Sequence, residues 1–327
     1  MTVLITLLIS ALSQGMLYAP MALGGFITFR ILKTPDLTVD GSFVFGMTVC
    51  AAVTVAGYPI AALVCGALAG ALAGLCTALL QTRARVEPIL SGILVSTGLY
   101  TVNYAVLGGQ SNLYLQREVV NAQGAMVNES CQTLYRMFSG LLKNMGSPLK
   151  DSNTQVLLLT LGIVAALIVV LGVFFFTRPG MAIRATGDNP DMVRSSSINP
   201  VFTTIIGLCV ANSFTALSGC LLAQAQKSVN IDIGGGMVTI ALASLLIGNV
   251  FLGKKKMPLR IAGMVLGAFV FRLVYTIALR FNMPAFMLKL VSSVIVVAAI
   301  SIPYIKQQLP LIKRRLESRK REGNANA

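Results

Sequence analysis

The sequence predicts an all-α, polytopic transmembrane helical bundle with about nine membrane-spanning helices and one short helix at the membrane surface. Three observations lead there. Of 327 residues, 55% are hydrophobic and only 11% charged, with a mean hydropathy of +0.79, whereas soluble domains carry about 25% charged residues. Apolar runs long enough to cross a hydrocarbon core recur along the chain; about 20 helical residues suffice, because unpaired backbone groups in lipid cost several kcal/mol each. The lysines and arginines that bring the net charge to +15 sit in short clusters between those runs, which points to membrane topology and not to nucleic acid.

The apolar runs cover residues 3–29, 41–57, 59–80, 88–107, 154–177, 201–223, 236–252, 261–279 and 284–304. The first has no basic leading region and no small-residue cleavage pattern, so it reads as a retained helix that Pro20 can kink. Orientation follows from the excess of basic residues in short cytoplasmic loops. Placing Arg30/Lys33, Arg83/Arg85, Arg178/Arg184/Arg194, Lys254–Lys256/Arg260 and the tail from Lys306 inside gathers 18 of the 26 basic residues on one side. The N-terminus is then outside and the C-terminus cytoplasmic. Residues 1–305 form the membrane domain, with an outer loop at 108–153 and an inner loop at 178–200, and 306–327 form a basic cytoplasmic tail suited to anionic lipid.

Composition also excludes. There is no His and no Trp, which removes imidazole metal sites and Ser-His-Asp catalysis. The six cysteines form no CxxC pair, so neither a zinc site nor a disulfide framework is supported. Gly248 to Lys255 matches the GxxxxGK spacing of a phosphate loop, but Lys255 stands where Ser or Thr is needed and the motif ends an apolar helix. No catalytic residue, metal or cofactor is expected.

Gly66, Gly70 and Gly74 repeat at every fourth position, so one helical face carries almost no side chain and admits another backbone closely; Gly263 and Gly267 repeat the device. The sequence leaves open whether those contacts lie within one subunit or between two. Polar residues inside apolar runs mark a candidate solute path: Asp40, Gly41 and Ser42 at the start of the second helix, with Asn103, Asn212, Ser213 and Asn249 further on. Asp40 has two readings, a group beside a helix N-terminus that receives substrate, or a cap for its own helix at the interface.

The inner loop is the most informative segment. In Arg184-Ala185-Thr186-Gly187-Asp188-Asn189-Pro190-Asp191-Met192-Val193-Arg194, Asp188 or Asn189 can cap a helix, Pro190 suits its first turn, and Asp191 complements the dipole there. Asn199-Pro200 ends it, leaving a surface helix of about two turns.

Arg184-Ala185, Gly187 and Asn189-Pro190, followed by Ile198-Asn199, resemble the coupling-loop signature of ABC importer permeases of the branched-chain amino acid and ribose type. Pro35-Asp36-Leu37-Thr38-Val39-Asp40-Gly41-Ser42-Phe43 is similar to the variant in tryptophan/tyrosine transport permeases, and the segments 212–224 and 234–248 also resemble the family in order. The family usually has Gly before the Ile-Asn pair, where this chain has Ser197. The resemblance implies two permease copies, a likeness that favours a homodimer, with two cytoplasmic ABC ATPase subunits and an extracellular substrate-binding lipoprotein. It further implies that Arg184, Ala185, Gly187, Asp188, Asn189, Pro190, Met192 and Arg194 dock the ATPase, and that alternating access moves a small solute, an aromatic amino acid by the 35–43 segment. The alternative is an ion-coupled secondary transporter, against which stands the placement of acidic residues at interfaces and in loops. A membrane-embedded enzyme is disfavoured by the lack of His and of carboxylate clusters.

Overall fold

The computed structural model describes residues 2–120, 126–144, 152–253, 255–280, 290, 293–294, 296–298 and 301. It is a helical bundle. The elements in order are α1 (Thr2–Gly25, extended by a π-helical segment Phe26–Leu32), α2 (Val39–Val55), α3 (Pro59–Thr82), α4 (Pro88–Val106), β1 (Asn112–Tyr114), β2 (Gln116–Val120), β3 (Met126–Ser130), α5 (Leu134–Asn144), α6 (Ser152–Phe176), α7 (Arg178–Asp188), α8 (Pro190–Ser195), α9 (Pro200–Gln226), β4 (Ser228–Asn230), a 3-10 turn (Ile231–Gly234), α10 (Met237–Leu252) and α11 (Met257–Arg280). Among the described residues seven helices are long and apolar enough to cross a membrane, and α2 is a shorter apolar helix of 17 residues. Most of the ninth run, 284–304, and the tail 306–327 lie outside the described residues.

The two halves of the bundle are built alike and run in opposite directions. Side-chain and backbone contacts pair Leu17 with Ser218, Gly24 with Ala211 and Leu32 with Gly207, so α1 and α9 lie antiparallel. Each ends on a lysine in the left-handed conformation, Lys33 at φ 57° and Lys227 at φ 56°. Each is followed by a stretch outside any α-helix, then by a short apolar helix (α2 or α10), then by a full-length one (α3 or α11). The partners are exchanged: α3 packs on α9 and α11 on α1. This is the inverted-repeat plan of membrane transporters, whose broken helices meet inside the bundle.

Small residues set the helix spacing. On α3, a Cβ at Gly70 would run into the carbonyl of Asn212 and Cβ of Ala216, one at Gly74 into the carbonyl of Leu208, and one at Gly66 into Sγ of Cys220. On α11, Gly263 and Gly267 face Gly248, Leu252 and Ser244 of α10 in the same way. The glycine contacts are therefore made within one chain, which answers what the sequence left open.

The outer loop is more structured than its polarity suggests. β1 pairs antiparallel with β4, Leu113 opposite Val229, and β2 pairs with β3. Gln224 ties the end of α9 to this layer: its Oε1 accepts from the Leu134 N–H at 2.9 Å and its Nε2 donates to the Pro59 carbonyl at 2.9 Å. Tyr135 and Thr160 hydroxyls meet at 3.1 Å, and burial pushes the Tyr135 hydroxyl up to about 12.

Gly70→Ala is expected to lower the unfolding stability by about 1–3 kcal/mol through forced separation of α3 from α9. Gly162→Ala, on α6 with nothing within 4 Å of the added atom, should leave the thermal unfolding midpoint in detergent unchanged or slightly raised.

Candidate functional site

Two regions carry unusual chemistry, the middle of the bundle and the end where the basic loops gather. In the middle, the chain leaves the π-helical end of α1, runs through 33–38 outside any helix, and starts α2 beside the halfway point of α9. Pairings of Ser42 with Asn212, Gly46 with Ala216, and Cys50 with Cys220 show that α2 follows only the second half of α9. The non-helical backbone must find hydrogen bonds in protein, since lipid offers none. Asp36, fully buried, supplies one of them and anchors the segment to α9: its Oδ1 accepts from the Thr38 N–H at 2.8 Å and its Oδ2 from Asn212 Nδ2 at 2.8 Å. Ser42 Oγ donates to Asn212 Oδ1 at 2.7 Å, and the Thr38 and Thr77 hydroxyls meet at 2.7 Å.

Asp40 performs the companion task for the other broken helix. Its carboxylate accepts from the N–H groups of Val238 at 2.7 Å and Gly236 at 3.3 Å, so it caps α10 and not α2. The positive ends of two helix dipoles thus face one carboxylate.

The seven predicted path residues fall into three groups. Asp40, Gly41 and Asn103 line one cavity of about 320 Å³ with Ser96, Tyr100 and Gly234. Ser42 and Asn212 are buried in the Asp36 network. Ser213 bonds the Cys209 carbonyl within α9, and Asn249 lies in the last turn of α10. Asp36 lies in a loop, where nearly all acidic groups were expected, but with no exposure at all; a proline-flanked Asp outside any apolar run gave no sign that its segment turns back into the bundle.

A larger cavity of about 930 Å³ adjoins the start of α10, lined among others by Tyr18, Asn230, Asp232, Thr239, Arg272 and Tyr275. Arg272 is 6% exposed. Its guanidinium lies 3.7 Å from the Tyr18 ring centroid and 4.8 Å from that of Tyr275, cation–π contacts that offset part of the cost of burying the charge. Its Nε has no hydrogen-bond partner among the described residues. Lys289 lies outside the described residues.

The loop between α6 and α9 forms two helices. Thr177 caps α7 by accepting from the Gly180 N–H at 3.4 Å, Asn189 caps α8 by accepting from Asp191 and Met192 N–H groups at 3.1 Å, and Asn199 caps α9 by accepting from Val201 at 2.9 Å. Of the two caps allowed by sequence, Asn189 is the one used, and Asn199 starts the next helix as well as ending the loop. α7 is fastened on several sides. A Cβ at Gly187 would strike the Ile31 carbonyl, Ile183 is fully buried, the Thr186 and Thr203 hydroxyls meet at 2.7 Å, and Lys33 Nζ reaches Asp188 Oδ1 at 2.8 Å. The hydrogen bond from Lys33 holds the Asp188 carboxyl below its usual 3.8. A depressed carboxylate stabilises above its ordinary value and loses that contribution as pH falls through the lowered one, so this tie stands across the neutral range. α8 projects beyond it, with Met192 67% exposed and Arg194 also exposed. Ala185 and Arg184 lie on the open side of α7, and Pro190 opens α8. Below α7, Arg30, Lys33, Arg184, Asp188 and Arg260 line a cleft of about 260 Å³.

Broken helices meeting inside an inverted-repeat bundle, with two short capped helices at one end, define a multi-pass solute-transport protein. The chain belongs to the branched-chain amino acid transport system permease component family, whose model matches residues 7–300. It is 29% identical over 292 residues, 89% of each chain, to the tyrosine transport system permease protein of Clostridioides difficile (strain R20291). It is 30% identical over 243 residues, 74% of this chain and 77% of the relative, to an uncharacterized protein of Rickettsia prowazekii (strain Madrid E). No solved structure matches.

Ser197 sits at φ 61°, the left-handed region where glycine is at ease and other residues cost about 1–2 kcal/mol. Glycine, which the family usually has at this place, would take this conformation without that cost. Ser197→Gly should raise unfolding stability by up to about 1 kcal/mol, and Ser197→Val should lower it, read by thermal unfolding in detergent.

Proposed function

We propose that this chain is the permease subunit of an ATP-binding cassette importer that moves an amino acid, an aromatic one in particular, across a bacterial cytoplasmic membrane. Two copies form the pathway, two cytoplasmic ATPase subunits drive it, and an extracellular substrate-binding lipoprotein feeds it. The N-terminus is outside and the C-terminus cytoplasmic, as the distribution of basic residues favours. The observation that carries the reading is the α7–α8 lever: α7 is fixed to the end of α1 and the start of α9, while α8 offers exposed Met192 and Arg194 to a partner. A partner that closes on ATP and pulls α8 would move α1 and α9 with it, which is alternating access driven by an external motor.

The substrate class is supported by the relative's tyrosine name and by the larger cavity. A guanidinium matches a carboxylate, Asp232, which also lines the cavity, matches an ammonium, and Tyr18 and Tyr275 add aromatic surface. A cavity of this size is in the range that holds small organic solutes. Ion coupling is the second reading, favoured by buried Asp36, but both of its carboxylate oxygens already accept hydrogen bonds that hold the segment 33–38.

Uptake of tyrosine into proteoliposomes containing the permease, its ATPase and its binding protein separates the readings. ATP should drive accumulation with no ion gradient present; accumulation driven by a gradient without ATP would overturn the importer. Arg184→Ala/Asp188→Ala should insert normally yet reduce uptake at least tenfold and weaken retention of the ATPase, whereas unchanged uptake would remove the role given to α7 and α8.

A further inference from the structure

We propose that the cleft between the end of α1, α7 and the start of α11 binds the phosphate headgroup of an anionic phospholipid, which braces the α7–α8 lever against α11. The cleft of about 260 Å³ is lined by Arg30 and Lys33 of the α1 end, Arg184 and Asp188 of α7, and Arg260 of α11. Asp188 is already paired with Lys33 at 2.8 Å. The three arginines have no ion pair among the described residues, so four cations share one carboxylate. The Arg260 guanidinium lies 5.5 Å from the Phe26 ring centroid, and its Nε is buried with no hydrogen-bond partner among the described residues.

Like charges gathered in one cleft repel, and an anion seated among them removes that repulsion. Guanidinium groups present paired N–H donors whose geometry matches two oxygens of one phosphate. The surroundings choose between a free ion and a lipid. Leu259, next to Arg260, is 47% exposed, and Met181, one turn before Arg184, is 50% exposed. Exposed apolar side chains thus stand within three residues of two of the cleft's arginines, which suits a molecule with an anionic head and acyl chains. Basic pockets between membrane helices are the usual seats of such headgroups. Packing joins α7 to α6, to α9 and to the end of α1; the phosphate adds α11 through Arg260. The inference stands apart from the identity of the transported solute and from the direction of transport.

The test uses the full-length permease in detergent, stripped of lipid and titrated with phosphatidylglycerol or phosphatidylcholine, with retained lipid counted by native mass spectrometry. Wild type should retain phosphatidylglycerol at least tenfold more tightly than phosphatidylcholine. Arg30→Gln/Arg260→Gln should lose one tightly held phosphatidylglycerol per chain. Lipid held by the basic tail is common to both proteins and drops out of the comparison. Arg30→Lys/Arg260→Lys, which keeps the charge and removes the paired donors, should weaken retention severalfold and serves if the Gln variant does not fold. Equal retention by wild type and both variants would overturn the proposal. So would displacement of the lipid by millimolar inorganic phosphate, which would give the cleft to the free ion. Loss of ATPase binding with lipid retention unchanged would give it to a carboxylate of the partner and overturn the lipid assignment as well.

Discussion

Backbone that leaves a helix inside an apolar bundle must recover its hydrogen bonds from protein, and this constraint governs the middle of the molecule. Two carboxylates meet it. Asp36 holds the stretch before α2 through Thr38 and Asn212, and Asp40 holds the start of α10 through Gly236 and Val238. Without them neither short helix could begin where it does. Because both begin near the middle, the bundle has a polar seam between its halves, and the two cavities open along it.

The same segments connect that seam to the lever. Lys33, which pairs with Asp188 of α7, is three residues before Asp36, and Leu32 packs on Gly207 of α9. A displacement of α7 therefore reaches the Asp36–Asn212–Ser42 network through a few bonds of chain and one packed helix. Glycine contacts along α3 and α11 leave little slack, so α3 is carried with α9 and α11 with α10. Close-packed helices of this kind move as units and transmit a shift without absorbing it.

Much of this was legible in the sequence, and the omissions have physical causes. Long apolar runs and fourfold glycine spacing marked the helices and their packing faces, because those signals are local and periodic. A cap at Asp188 or Asn189 was legible for the same reason, whereas Asn199-Pro200 read as the end of a short helix and not as the start of α9. The segment 33–38 did not announce its course: a lysine, two threonines and a Pro-Asp pair carry no apolar period, and only the partner Asn212, far along the chain, shows that it re-enters the bundle. Arg272 lies within the apolar run 261–279, but nothing local marks the Tyr18 ring beneath it. α7 was hidden by Gly180 and Gly187, residues that weaken a helix in isolation yet here permit contact with Phe174 and Ile31. The placement of the basic loops was read from charge alone, and three of them, at Arg30/Lys33, Arg184 and Arg260, do meet at one end.

The central claim is that the end carrying α7 and α8 faces the cytoplasm, where a motor can reach it. Ser195→Cys at the end of α8 and Tyr114→Cys in β1, both at exposed positions, can be labelled in sealed right-side-out vesicles with a membrane-impermeant thiol reagent. The account predicts labelling at position 114 from the outer medium and at position 195 only after the vesicles are opened. Labelling of position 195 from outside would contradict it.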